Sequence, residues 1–302
     1  MYEGELSHEL LNPDDTVIVL DVDGTLIEPV ETTGFDGMEK AFHVLQTMIG
    51  KKRGYGYSFE QEPPSMEQFQ VAWEDALVES AGTTDYNLIR LLLDNIPVNI
   101  RRDRASVRYF VNIFNWLRHN YAVNMGDATK DKSYQPMAGN PYSDAASLLG
   151  IIEQAQKGDV NTFVGLCTGN PDWIGFWKLP FFMQDFVESL SPDGERMLLL
   201  HGNHPCFDQG FPPTKAGLIE YYCKPWISDG TYYGPQIVLI DDSLRAFEGL
   251  PSDVGRVLID RSDNYEEGSA LGQNGCRVNS LTSPAVLELL GLGMYSKRDP
   301  EI

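Results

Sequence analysis

Thr16-Val-Ile-Val-Leu-Asp-Val-Asp-Gly-Thr-Leu26 is the stretch on which the fold of this chain turns. Val17 to Leu20 form an apolar run with no polar alternation, which reads as a strand buried on both faces. Two aspartates, Asp21 and Asp23, follow at once, and Gly24-Thr25 turns the chain away. Polar groups just beyond the carboxyl end of a buried parallel strand sit where open α/β sheets bind ligands.

Working outward, the same pattern recurs. Thr162-Phe-Val-Gly-Leu-Cys167 precedes Thr168, Met197-Leu-Leu-Leu200 precedes His201, and Gln236-Ile-Val-Leu-Ile240 precedes Asp241. Gly255-Arg-Val-Leu-Ile-Asp260 reads as a fifth strand. Apolar residues at helical spacing over Tyr142–Gln156, Ala216–Tyr222 and Pro284–Leu290 separate or close these runs. Alternating strands and helices predict an α/β fold with a doubly wound parallel sheet.

Between the first two strands lie residues 31–139, too many for a crossover. They carry helical patterns of their own, at Gly37–Ile49, Met66–Ser80, Tyr86–Asn95 and Arg104–His119. The stripe Tyr109, Phe110, Phe114 and Trp116 reads as the core of that insertion. Asn124–Asn140 reads as a loop. The expected organisation is a Rossmann-like core from residues 1–30 and 140–302, carrying a mainly helical cap at 31–139.

Composition narrows the partners. Against 23 Lys and Arg stand 44 Asp and Glu, a net charge of −21. That field repels nucleic acid and anionic membranes, and a phosphate site must supply its own local positive charge. Cys167, Cys206, Cys223 and Cys276 show no CxxC pairing, which fits thiols in a reducing compartment. Met1-Tyr-Glu-Gly-Glu5 lacks a secretory start, and no run reaches the ~18 apolar residues of a membrane helix. A cytoplasmic protein is expected.

Four groups of residues carry the chemistry. Leu20-Asp-Val-Asp-Gly-Thr-Leu26 resembles the first motif, hhhDxDGT, of haloacid dehalogenase (HAD) superfamily phosphatases. Thr168-Gly169-Asn170 matches the second. Read by itself it is a strand end opening a capped helix, with Pro171 at the first helical position; such an N-terminus also cradles phosphate. Lys215, in Pro212-Pro-Thr-Lys-Ala216, matches the third, although a lone lysine is ordinarily a solvated charge. Asp241-Asp242-Ser243 matches the fourth in its DD form, since the GDxxxD form would need an acid where Ala246 stands. The insertion falls where the helical C1 cap of phosphoglycolate-phosphatase-like members lies.

The resemblance implies a nucleophile at Asp21, an acid/base at Asp23, and Thr168 and Lys215 completing the catalytic set. Gly24, Thr25, Gly169 and Asn170 would surround the phosphate. Magnesium would be held by Asp21, the Asp23 backbone carbonyl and Asp242, with Asp241 in support, or with those last two in swapped order. Physical chemistry agrees: phosphoryl transfer needs positioning and charge neutralisation, and clustered carboxylates need a cation. Magnesium, a hard ion, suits such oxygen donors. The expected activity is a phosphatase acting on a small phosphorylated metabolite. A phosphomutase shares all four motifs and remains open. A dehalogenase needs no acid at position 23, and a non-catalytic phosphate binder is expected to have lost a motif residue.

Weaker signals complete the reading. Lys51-Lys-Arg-Gly-Tyr-Gly-Tyr57 reads as a solvated basic turn, with a substrate loop as the alternative. Arg101, Arg102 and Arg104 read as surface, and His201 and His204 as loop residues near the cleft. Ile27–Phe35 and Pro136–Asn140 are the expected hinge strands of the cap.

Overall fold

The structure is a computed structural model that describes residues 11–29, 37–51, 64–80, 83–96, 104–129, 139–158, 160–170, 178–191, 198–262, 271 and 274–295. Its centre is a six-stranded parallel sheet. The strands are β1 (Thr16–Leu20), β2 (Thr162–Thr168), β3 (Leu198–His201), β6 (Gln236–Asp241), β7 (Gly255–Ile259) and β8 (Gly275–Val278). They lie in the order β3-β2-β1-β6-β7-β8, so the chain winds outward from β1 in one direction and then, from β6, in the other. β4 (Ile227–Ser228) and β5 (Thr231–Tyr232) form a separate antiparallel hairpin.

Side-chain alternation along the strands sorts the core into two layers. Ile18, Leu20, Val164, Leu166, Val238 and Ile240 face one way, onto α5 (Ser143–Lys157), α6 (Phe181–Ser189) and α8 (Pro284–Leu289). Val17, Val19, Cys167, Ile237 and Leu239 face the other way, onto α7 (Lys215–Cys223). The strands are therefore apolar on both faces, as the unbroken runs predict. Every polar residue at a strand's carboxyl end is pushed to one rim, beyond the ladder.

The insertion forms α1 (Gly37–Lys51), α2 (Met66–Ser80), α3 (Asp85–Asn95) and α4 (Arg104–Thr129). Phe69, Trp73 and Phe114 pack ring against ring at their centre. The aromatic stripe on α4 divides: Phe110 and Phe114 are buried, while Tyr109 and Trp116 are exposed, because 3.6-residue periodicity puts neighbouring positions on different faces. α4 also runs to Thr129, so the loop expected from Asn124 begins later; none of those residues breaks a helix as proline would.

α6, β8 and the β4–β5 hairpin lie outside the expected elements. All are short, and β8 carries the weakly apolar Gly275-Cys-Arg-Val278. Among the described residues no helix is long and apolar enough to cross a membrane. The four cysteines are free, three of them buried. The basic stretch after Lys51, Arg101, Arg102 and most of both expected hinges lie outside the described residues.

Candidate active site

β1 delivers Asp21 to the rim. The ladder continues one residue past the strand, with the Asp21 N–H donating to the Ile240 carbonyl at 2.9 Å. The chain then doubles back: Leu26 and Ile27 N–H groups both donate to the Val22 carbonyl, and the Gly24 N–H donates to Ile27. Gly24 has φ +77°, and a Cβ there would stand 1.9 Å from Asp242 Oδ2. Only glycine satisfies both the left-handed backbone and the closeness of that carboxylate.

Lys215 enters from the first turn of α7, whose N-cap Thr214 accepts the Gly217 N–H at 3.1 Å. Its Nζ lies 2.7 Å from Asp21 Oδ1 and 2.6 Å from Asp241 Oδ2, and all three side chains are almost wholly buried. Asp241 Oδ1 accepts the Ser243 N–H at 2.9 Å, so both its oxygens are engaged. Asp21, Asp241 and Asp242 each offer an oxygen within 4.8 Å of the others. Asp242 is exposed, the other two buried.

The electrostatic load here is heavy. Burial, the largest effect, raises the Asp21 and Asp241 carboxyls above their ordinary range, opposed by Lys215. Burial and then Asp21 push Asp242 up to about 6. Burial would depress Lys215, yet Asp21 and Asp241 outweigh it and hold the ammonium above its usual value. A lysine so held stays charged, and the knot is ionic. Three hard oxygen donors under mutual repulsion fit a small divalent cation.

Asp23 points to a second cluster. Its Oδ2 accepts from Lys178 Nζ at 2.5 Å and from Asn170 Nδ2 at 3.1 Å. Asn170 in turn reaches Thr168 Oγ1 with its backbone N–H at 3.2 Å and its carboxamide at 3.3 Å. Thr168, the last residue of β2, is buried. Pro171 and Asp172, the expected start of the following helix, lie outside the described residues. Thr25 is fully buried, its hydroxyl without a partner among the described residues, so its side chain packs beneath the loop.

The helical insertion rests on this rim. Asp85 and Tyr86 N–H groups, at the start of α3, donate to the Gly169 and Gly202 carbonyls at 2.8 and 3.3 Å. A Cβ on Gly169 would meet the Thr83 carbonyl at 2.3 Å, so the close approach requires glycine there. Arg118 of α4 pairs with Asp85 at 3.2 Å and touches Asn170 Oδ1 at 3.4 Å. Arg104, expected as surface, is exposed and also donates to the Asp208 carbonyl at 2.6 Å.

His201 closes β3, and His204 caps the following turn. Each accepts a backbone N–H on Nδ1, from Asn203 and Cys206. Burial first, and Arg108 besides, lowers both imidazoles to about 4. Neither belongs to the metal-competent group found among the described residues.

Two cations that touch this loop escape sequence reading. Lys178 belongs to no motif; its signal is a single cation inside the apolar stretch Ile174-Gly-Phe-Trp-Lys-Leu179. Arg261, just past β7, donates to the Gly24 and Thr25 carbonyls and to both oxygens of Asp144, with its guanidinium 3.6 Å above the Tyr142 ring. It braces the loop after Asp21 from outside.

No family model and no curated protein sequence matches the chain. Solved structures do. The HAD-hydrolase YfnB from Bacillus subtilis, bound to magnesium, aligns over 92% of this chain and 99% of its own, with TM-score 0.37 and 11% identity. A haloacid dehalogenase-like family hydrolase from Xanthomonas campestris aligns over 95% and 99%, with TM-score 0.36 and 12% identity. A haloacid dehalogenase-like hydrolase from Burkholderia xenovorans LB400 covers 96% and 98%, with TM-score 0.34 and 15% identity. The chain resembles HAD-like hydrolases.

Proposed function

We propose that this protein is a magnesium-dependent phosphohydrolase of the HAD type, acting on a small phosphorylated metabolite through an aspartyl-phosphate. The observation that carries the reading is the joining of Asp21 and Asp241 through Lys215, with an oxygen of Asp242 within 4.8 Å of both so that Asp21 and Asp242 can share one cation. A nucleophilic carboxylate, a fixed ammonium and a cation-sized set of oxygens are what phosphoryl transfer requires.

Asp21 attacks phosphorus, and the bond from phosphorus to the leaving oxygen breaks. Asp23 gives that oxygen a proton. Asp23, now a carboxylate, takes a proton from the water that hydrolyses the aspartyl-phosphate, and Asp21 is restored. Lys215 and Thr168 hold the phosphoryl oxygens. Asp21, Asp242 and the Asp23 backbone carbonyl would hold magnesium, which would supply the charge that lets carboxylate and phosphate meet. Asp241 supports that set from behind, since Lys215 and the Ser243 N–H already occupy its oxygens.

The preference for small substrates rests on the insertion. The start of α3 and Arg118 lie against Gly169 and Asn170, at the mouth of the site, where a protein substrate would collide with them. A roof there excludes water and strengthens the local electrostatics. The test is a phosphate-release screen over sugar phosphates, nucleoside monophosphates, phosphorylated carboxylic acids and a phosphopeptide, with magnesium and after chelation. Turnover is expected only with the cation and only on small phosphates. Undiminished release after exhaustive chelation, or a phosphopeptide matching the best metabolite, would overturn the reading.

A further inference from the structure

We propose that Lys178 is a positioning residue for Asp23, holding its carboxylate at the leaving-group side of the site; this rests on the phosphohydrolase reading above. Lys178 lies outside the four motif groups, yet it is buried and its Nζ stands 2.5 Å from Asp23 Oδ2. Burying an ammonium is costly unless it is paired, so this lysine is held in place by its carboxylate as much as it holds it. The carboxamide of Asn170 grips the same oxygen at 3.1 Å. Two donors on one oxygen fix the rotation of a side chain that would otherwise swing, its own exposure being 26%.

Charge balance gives Lys178 a second purpose. Asp21, Asp23, Asp241 and Asp242 face two ammonium groups, Lys215 and Lys178. With all four carboxyls ionised the remainder is two negative charges, which one divalent cation cancels; the proton that Asp23 carries when it acts as acid removes one more. Without Lys178 the remainder would be three, and one such cation would leave the site negative towards an incoming phosphate. The lysine thus keeps Asp23 aimed while keeping the site open to an anion. Its effect should fall on the proton delivered to the leaving oxygen, because that is the task of the group it holds.

The experiment compares two substrates with the full chain and magnesium. An aryl phosphate expels an acidic phenol that departs without a proton, whereas an alkyl phosphate expels an alkoxide that needs one. Lys178→Met should slow first-turnover release of the leaving group, before the hydrolysis step common to both substrates, by about 100-fold on the alkyl phosphate and by less than about tenfold on the aryl phosphate. Lys178→Arg, which keeps the charge, should recover much of the alkyl activity. Equal loss on both substrates would show a general structural role and overturn the proposal.

A double-mutant cycle on unfolding, with Lys178→Met and Asp23→Asn, reads the contact without any turnover. The two changes together should cost about tenfold less in the folding equilibrium than the sum of each alone. An additive cycle overturns the hold on Asp23 whatever the activity. If the wild type hydrolyses neither phosphate while the cycle shows coupling, the phosphohydrolase reading fails and the Lys178–Asp23 hold stands.

Discussion

Asp21 and Asp23 sit two residues apart on one loop, and each is paired with a lysine brought from elsewhere in the chain. Their surroundings differ. Asp21 shares Lys215 with Asp241 in a knot whose side chains are 7%, 5% and 0% exposed, under the centre of the sheet's rim. Asp23 meets Lys178 nearer the surface, beside Asn170 and the Arg118 that descends from α4. The knot is built by the rim of the sheet and α7 and is almost closed to solvent. The second pair borders the helical insertion through Asn170, which Arg118 also touches. Under the proposed mechanism the nucleophile would lie in the buried half and the proton carrier at the more open half, so that one loop would serve two steps with different needs.

The sharpest way to break this contrast is to neutralise each aspartate. Asp21→Asn should abolish turnover and leave no acid-labile phosphate on trapped enzyme. Asp23→Asn should still form some aspartyl-phosphate but hydrolyse it slowly. Phosphate trapped on any residue other than position 21 would contradict the division of labour.

Next in size is Lys215→Met. With its ammonium gone, Asp21 and Asp241 face each other in a dry site. Breaking a buried pair in this way costs about 3–5 kcal/mol of stability, readable by denaturant unfolding without divalent cation. Loss of a preorganised charge should also lower kcat by about 100- to 1,000-fold. A variant as stable as the wild type would mean that the knot is not dry.

Gly24→Ala probes the seam between the two halves. The added Cβ would lie 1.9 Å from Asp242 Oδ2 on a left-handed backbone, so the carboxylate must move aside. Magnesium affinity, measured by calorimetry or by the metal dependence of turnover, should weaken by about 10- to 100-fold, as when support for a metal ligand is lost. Unchanged affinity would place the cation away from Asp242.

The effect furthest from the two pairs lies beside the sheet, at His201 and His204. Both accept a backbone N–H and are lowered to about 4, with Arg108, Tyr221 and each other as the facing groups. A depressed imidazole stabilises the fold fully above the unfolded value near 6.5, and that stability drains away as pH falls towards about 4. The expected slope is at most about 1.4 kcal/mol per pH unit for each histidine. His201→Asn, whose carbonyl can accept the same N–H, should flatten that decline. The difference between the two curves isolates the histidine from the carboxylates, and identical curves would refute the assignment.

The six-strand sheet was largely legible beforehand, because a strand buried on both faces must be an unbroken apolar run. β1, β2, β3, β6 and β7 therefore announce themselves, and their carboxyl ends name Asp21, Thr168 and Asp241 in advance. β8 did not, since Gly275-Cys-Arg-Val278 carries an arginine at the sheet's edge, where water tolerates it. Lys215 was legible through its place before a helix, and the structure puts its ammonium between the two buried carboxylates.

Sequence by itself thus determined the α/β alternation, the four groups of polar residues and the rim on which they gather, because those follow from local periodicity and chain order. Only the tertiary structure decided that Lys178 turns inward to Asp23, that Arg261 braces the loop through the Gly24 and Thr25 carbonyls, and that Tyr109 and Trp116 face outward while Phe110 and Phe114 do not. Whether a lysine is solvated or buried depends on which carboxylate lies within about 3 Å of it once the chain has closed. Partners 155 residues apart in the chain, as Asp23 and Lys178 are, leave no periodic trace of that choice.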